Sequence, residues 1–259
     1  MKRVFLFLLV ALALFAGNNP APSQDFRPGI IGEDRRVRLD LQGPPWDSVG
    51  QVNVGGYRME QRCTGTLVAP ALVLTAAHCL MNPASHEPFP LGEIHFLAGV
   101  RGGENKGSAT ALCLRFLPDY RYVPPSGFTA TGQKYPIEAF TRDVAVIVLK
   151  NKLEVDPAPI DEGAVGEPGL RLTHVAYPAD HRYMPWVHFD CRLLRFDPSG
   201  ALWFNDCDTS HGGSGGPLFT RTGENYKVAA IMLGSGKGRY NVALPVSAWL
   251  DLTRNAECP

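Results

Sequence analysis

From residue 48 onward the chain alternates short apolar runs with turn-forming residues. "SVGQVNV" (48–54), "RCTGTLVAP" (62–70) and "ALVLTAAHC" (71–79) are β-branched or alternating stretches closed by Gly, Pro or polar side chains. That pattern predicts strands rather than helices. "DVAVIVLK" (143–150) is apolar nearly throughout and predicts a buried strand. Before it, residues 118–142 carry four prolines and little periodicity; a loop of that length in a compact domain is functional or disordered. A proline-rich connector, "EVDPAPIDEGAVGEPG", leads to a second strand-rich half containing "LRLTHVAYP", "VHFDCRLLRF", "ALWFNDC", "KVAAIML" and "YNVALP". Only "PVSAWLDLTRN" near the end has helical spacing, with Val246, Trp249 and Leu250 on an apolar side. No internal repeat or low-complexity tract interrupts this layout. It predicts an all-β fold: two antiparallel, six-stranded-type barrels packed face to face, residues 45–155 and 156–259, with a C-terminal helix. The two halves together form one domain, 45–259.

Composition sharpens this picture at the ends. Among 259 residues, 27 are Gly and 22 Pro, as many short strands and turns require. Basic and acidic residues balance at 25 each with no basic run, which excludes a nucleic-acid surface. At the N-terminus, Lys2 and Arg3 precede thirteen apolar residues, Val4 to Ala16, followed by the polar "GNNPAPSQ". This reads as a secretory signal over 1–21, its end lying between 16 and 24, because the apolar run is too short to span a bilayer. Residues 22–44, including "RPGIIGEDRRVRLD", are then a strap or a short pro-region. The expected mature chain is a monomer, secreted or periplasmic, without stable membrane association. Export makes the six cysteines (Cys63, Cys79, Cys113, Cys191, Cys207 and Cys258) disulfide candidates. No CxxC pair occurs, which weakens a structural zinc reading. Six cysteines allow 15 pairings, and the sequence by itself chooses none.

The chemistry lies in three places. His78 sits in "LTAAHCL", Asp143 heads the buried run, and Ser214 is flanked by Gly212, Gly213, Gly215 and Gly216 in "HGGSGGP". A serine hydroxyl is a poor nucleophile at neutral pH unless a base takes its proton and a third group fixes that base. A carboxylate at the edge of a buried strand has an energetic reason to be paired. Glycines permit a tight turn that aims the N–H groups of Gly212 and Ser214 at one point. Such an oxyanion hole is worth about 3–4 kcal/mol per donor. Each residue alone has a plain reading: a core histidine, a turn aspartate, a linker. Their joint occurrence in an exported, strand-rich chain carries the argument.

"CTGTLVAPALVLTAAHC", "RDVAVIVL" and "HGGSGGPL" resemble the three signature blocks of chymotrypsin-like serine peptidases, in the order His, Asp, Ser. "IIGEDRR", "CTGTL", "VAYPAD" and "DCDT" are similar to the bacterial branch that includes glutamyl endopeptidases. The resemblance covers roughly residues 30 to 250. It implies an exported serine endopeptidase cutting peptide or protein substrates through an acyl-enzyme, a chemistry expected to need no metal or organic cofactor. His78 would be base then acid, Asp143 its orienter and Ser214 the nucleophile, with the Gly212 and Ser214 amides binding the oxyanion. It also implies the pairs Cys63–Cys79 and Cys191–Cys207, which leaves Cys113 with Cys258. Two other functions are weighed against it. A non-catalytic binding protein on the same fold is disfavoured by the complete triad. An adhesion or envelope module would use the 118–142 loop.

Some positions depart from the family's pattern. The trypsin-like branch has an Asp directly before the serine, paired with a new N-terminal amine; here that residue is Gly213. The site is therefore expected to be preformed after export, or after trimming near residues 24 to 30. Asp208, six residues before Ser214, has the spacing of the pocket carboxylate that selects basic P1 residues. In the other reading, "DCDT" places Asp208 structurally, a disulfide at Cys207 redirecting the loop. Met232 stands where glutamyl-specific relatives use a histidine, which argues against Glu specificity, although Thr209 is compatible with it. The backbone of Leu233, Gly234 and Ser235 would add the substrate as an extra strand. The other histidines (His86, His95, His174, His181, His188 and His211) are expected on the surface or in loops.

Overall fold

The computed structural model describes residues 27–55, 61–124, 128–129, 132–133, 135–236, 238–255 and 257–258. The expected signal segment and part of the 118–142 loop lie outside them. A two-residue strand, β1 (Val37–Arg38), belongs to the N-terminal strap. Five strands follow: β2 (Val49–Val54), β3 (Gln61–Ala69), β4 (Leu72–Thr75), β5 (Ile94–Ala98) and β6 (Gly107–Phe116). The long loop contributes a small hairpin, β7 (Phe128–Thr129) with β8 (Gly132–Gln133), and β9 (Ala145–Leu149) is the buried run after it. β2, β3, β4, β9, β6 and β5 close into the first barrel.

The second half supplies β10 (Arg171–Ala176), β11 (Trp186–Phe196), β12 (Trp203–Asn205), β13 (Pro217–Thr222), β14 (Asn225–Gly236) and β15 (Tyr240–Pro245). These run β11-β10-β13-β14-β15-β12, and β12 pairs back onto β11, closing a second six-stranded barrel. β1 adds along β11, Val37 opposite Val187.

Period-2 patterning explains the inward faces. On β5, Ile94, Phe96 and Ala98 are buried while His95 and Leu97 are half-buried. β9 buries Ala145, Val146 and Ile147 in succession, as its apolar sequence predicts. One apolar cluster runs through both barrels, from Val52, Leu67, Leu74, Phe96 and Ile147 to Phe204, Phe219 and Trp249. A second cluster, including Leu172, Leu193, Trp203, Leu218 and Met232, packs around Cys191 and Cys207. The expected C-terminal helix is two pieces, a 3-10 turn over Val246–Ala248 and α1 (Leu250–Arg254). Trp249 between them has φ −134°, outside the helical range, and its indole N–H donates to Leu244 O at 3.2 Å. Cys63 is bonded to Cys79, Cys113 to Cys258 and Cys191 to Cys207.

Candidate active site

Strand register brings the first two candidates together. Thr75 at the end of β4 lies opposite Ala145 at the start of β9. Antiparallel neighbours share that barrel end, so His78, three residues beyond β4, meets Asp143, two residues before β9. His78 sits in a 3-10 turn, Ala77–Leu80, which the Cys63–Cys79 bridge ties to β3. Asp143 is buried, and both its oxygens serve His78. Oδ1 accepts the His78 backbone N–H at 2.8 Å, and Oδ2 accepts Nδ1–H at 2.6 Å. A carboxylate accepts only, so Nδ1 carries the proton and Nε2 keeps a free lone pair. The His78 side chain remains 29% exposed. Burial disfavours its charged form, but the charge and hydrogen bond of Asp143 outweigh this and raise the His78 pKa above its ordinary value.

Ser214 lies in the turn between β12 and β13, on the other barrel. Cys79 Sγ is 3.7 Å from His78 Nε2 and 3.9 Å from Ser214 O, so the His78 imidazole neighbours the Ser214 backbone. The Ser214 hydroxyl itself donates to Leu233 O at 3.3 Å. A rotation about χ1 between staggered wells re-aims it, a small change for serine.

The carbonyls of His211, Gly212, Gly213 and Ser214 are each taken. Ala179 N–H donates to His211 O at 2.6 Å, Thr64 Oγ1 to Gly212 O at 2.8 Å, and Gly216 N–H to Gly213 O at 3.0 Å. Thr64 N–H donates to Ser214 O at 2.9 Å. In a trans peptide the N–H points opposite to the carbonyl before it. The N–H groups of Gly212 and Ser214 are therefore turned away from these partners, and among the described residues neither meets an acceptor. Two glycines make the turn possible. Gly212 has φ +88°, and a Cβ there would lie 2.7 Å from Tyr177 O. At Gly213 a Cβ would fall 1.9 Å from Thr209 Oγ1, so no aspartate fits before the serine.

Thr64 is a hub that the sequence reading missed. Besides its two bonds to the turn, its Oγ1 accepts Tyr177 N–H at 2.9 Å and its carbonyl accepts Thr75 Oγ1 at 2.8 Å. A buried threonine within "CTGT" gives no sequence signal beyond β-propensity.

The family model described as a trypsin-like peptidase domain matches residues 63–226. The chain belongs to the trypsin-like serine peptidases. A solved structure of a Glu endopeptidase in complex with MPD shares this fold, at TM-score 0.69 and 24% identity, over 88% of this chain and 98% of that one.

The remaining candidates of the peptidase are placed differently from one another. Leu233, Gly234 and Ser235 lie on β14 beyond the last β13 pairing, Pro217 with Ile231, so among the described residues no strand pairs that edge, while β15 pairs the other. Met232 is fully buried, its side chain in the second barrel's core and its backbone tied to the turn: Gly215 N–H donates to Met232 O at 2.7 Å and Met232 N–H to Gly216 O at 2.8 Å. Asp208, expected in the substrate pocket, is fully buried, its oxygens accepting the N–H groups of Ile31 at 2.8 Å and Arg35 at 3.0 Å. Its carboxylate faces the strap, which is the structural placement of "DCDT". Two histidines expected outside are inside. His188 Nδ1 accepts Asp208 N–H at 2.7 Å, and burial lowers the His188 pKa. His174 Nδ1 donates to Pro217 O at 3.0 Å and Nε2 accepts Thr209 Oγ1–H at 3.1 Å; burial pushes its pKa down to about 4. Thr209 thus spends its hydroxyl proton behind the nucleophile turn.

Proposed function

We propose that the peptidase is an exported endopeptidase in which His78, Asp143 and Ser214 form the catalytic triad. The observation that carries this is Asp143 gripping two nitrogens of one residue, the His78 amide and Nδ1, which leaves Nε2 as the unprotonated ring nitrogen. His78 Nε2 takes the Ser214 proton as Oγ attacks the scissile carbonyl, then gives it to the leaving amine; water releases the acyl group by the same route reversed. The open amides of Gly212 and Ser214 receive the oxyanion. Substrate lies along the free edge of β14 at Leu233–Ser235, and its P1 N–H competes for Leu233 O, the acceptor that holds the resting Ser214 hydroxyl. Three disulfides support work outside the reducing cytosol, in the periplasm or medium.

Labelling with a peptidyl organophosphonate should modify Ser214 alone, and Ser214→Ala should lower kcat by roughly 10⁴-fold or more. An unlabelled, proteolytically silent protein would favour a non-catalytic binding role instead. Basic P1 preference needs Asp208 to release Ile31 and Arg35 for a substrate cation. We therefore propose a P1 choice not governed by that carboxylate. Digestion of a peptide library read by mass spectrometry tests this, and strong enrichment of cleavage after Arg or Lys would overturn it.

A further inference from the structure

The segment that leads into the Ser214 turn is held by the N-terminal strap directly at Asp208 and Thr209, and at Ser210 through Asp180. Asp208 accepts the N–H groups of Ile31 and Arg35, and its Oδ2 lies 3.6 Å from Arg35 Nε. Thr209 N–H donates to Gly29 O at 3.0 Å, and that same carbonyl accepts Asn241 Nδ2 at 2.8 Å. Ser210 Oγ donates to Asp180 Oδ1 at 2.9 Å. Asp180 in turn pairs at 2.6 Å with Arg36, a buried guanidinium that Asp34 holds from the other side at 2.9 Å. The fit is close as well as polar. Gly29 has φ +85°, and a Cβ there would stand 2.5 Å from Thr209 O.

These contacts reach the chemistry in one step. Ser210 O accepts Gly213 N–H at 2.9 Å, fixing the peptide between the two open amides. The turn holds four glycines, residues that lose the most backbone freedom on ordering. Something outside the turn must hold it, and Gly213 offers no side chain for the purpose.

We propose that residues 29–36 are a positioning element of the active site, a built-in clamp that fixes 208–210 and thereby aims the Gly212 and Ser214 amides. The proposal rests on reading those amides as the oxyanion site. It makes the strap a working part of the mature enzyme, so trimming has to stop before Gly29. A chain beginning at Ile31 would keep the Asp208 contacts yet lose those of Gly29 to Thr209 and Asn241.

The test compares the full chain with a variant beginning at Val37 and with Gly29→Val, which keeps the chain length but collides with Thr209. Three readouts are taken: kcat and KM on a peptide amide, organophosphonate labelling of Ser214, and hydrogen exchange of the 207–216 segment. Both variants should lose kcat by roughly 10²-fold, the cost of misplacing one oxyanion donor, with a smaller change in KM. Exchange over 207–216 should accelerate while the first barrel stays protected, and a synthetic peptide covering 27–36 should restore both properties to the shortened chain. Arg38→Ala, which breaks only an exposed pair with Asp40, should leave kcat unchanged. Unaltered kcat and unaltered exchange in Gly29→Val would overturn the clamp. Should the shortened chain fail to fold, Gly29→Val alone decides. Absence of labelling in the intact chain would count against the triad, whereas the exchange comparison would still judge the clamp.

Discussion

His78 is the point where two opposed forces are resolved by one neighbour. Burial disfavours the imidazolium, and the Asp143 charge with its hydrogen bond favours it by more, so the pKa lies above 6.5. As the proposed base, His78 works only when neutral, so kcat/KM should fall as pH drops through that raised value. Asp143→Asn removes the favourable contributions and leaves burial. The acid limb should then move to lower pH, and kcat should fall by roughly 10⁴-fold. A pH–rate profile checks this; a wild-type acid limb at or below 6.5, or one that Asp143→Asn leaves in place, would contradict it. The linked stability has the opposite sense. A raised folded-state pKa means the His78–Asp143 pair stabilises fully below 6.5 and less as pH rises through the folded value. His78, Asp143 and Ser214 were legible in the sequence as candidates, because acyl transfer restricts which side chains serve and the family resemblance put them in order. Residues that act on the catalytic groups from behind were not. Nothing in "THVAYP" marks His174 as buried against Thr209, and Asp208 has the spacing of a pocket carboxylate while its bonds run to a strap some 170 residues earlier.

At the scale of elements, the apolar runs translated into strands because each has to cover a barrel interior every second residue. The closing of the barrels, and the meeting of β4 with β9 that places His78 against Asp143, depends on long-range register that no local window contains. Helical spacing at 245–255 overstated the C-terminal helix, since Trp249 turns out of it to fill the core. β3 shows how an element can reach across the seam. Its Thr64 hydroxyl joins Gly212 O to Tyr177 N–H, while its backbone N–H holds Ser214 O. Thr64→Val keeps the shape and the backbone bond but leaves Gly212 O and Tyr177 N–H without their buried partner. The expected cost is about 1–3 kcal/mol of stability. kcat should also drop, by roughly tenfold, because Gly212 carries a candidate oxyanion donor. Chemical denaturation and steady-state kinetics measure the two effects separately. A valine variant with wild-type kcat would show that Thr64 shapes the fold without aiming the turn.

For the whole molecule, the question is what keeps two barrels at a fixed seam when the proposed triad is divided between them. The apolar cluster shared by both barrels is one answer. The other is covalent. Cys113 on β6 of the first barrel is bonded to Cys258, beyond α1 at the end of the second, across a sequence separation of 145 residues. Cys63–Cys79 spans only 16 residues, but it joins the residue before Thr64 to the residue after His78. In the chain-entropy account the longer closure restricts the unfolded chain more, about 5 kcal/mol against about 3. The two bridges should therefore fail in different ways. Replacing Cys113 and Cys258 together by serine should lower Tm by roughly 10–20 °C for a chain of this size, with kcat nearly kept at low temperature. Trp249 and Leu252 stay packed on the core there and continue to hold the C-terminus in place. Replacing Cys63 and Cys79 should cost less in Tm and far more in kcat, because the 3-10 turn that carries His78 loses its tie to β3. Calorimetry under non-reducing conditions, paired with kcat for each double variant, tests the division. Equal losses of kcat in the two variants would mean that the terminal bridge also sets the geometry of the seam.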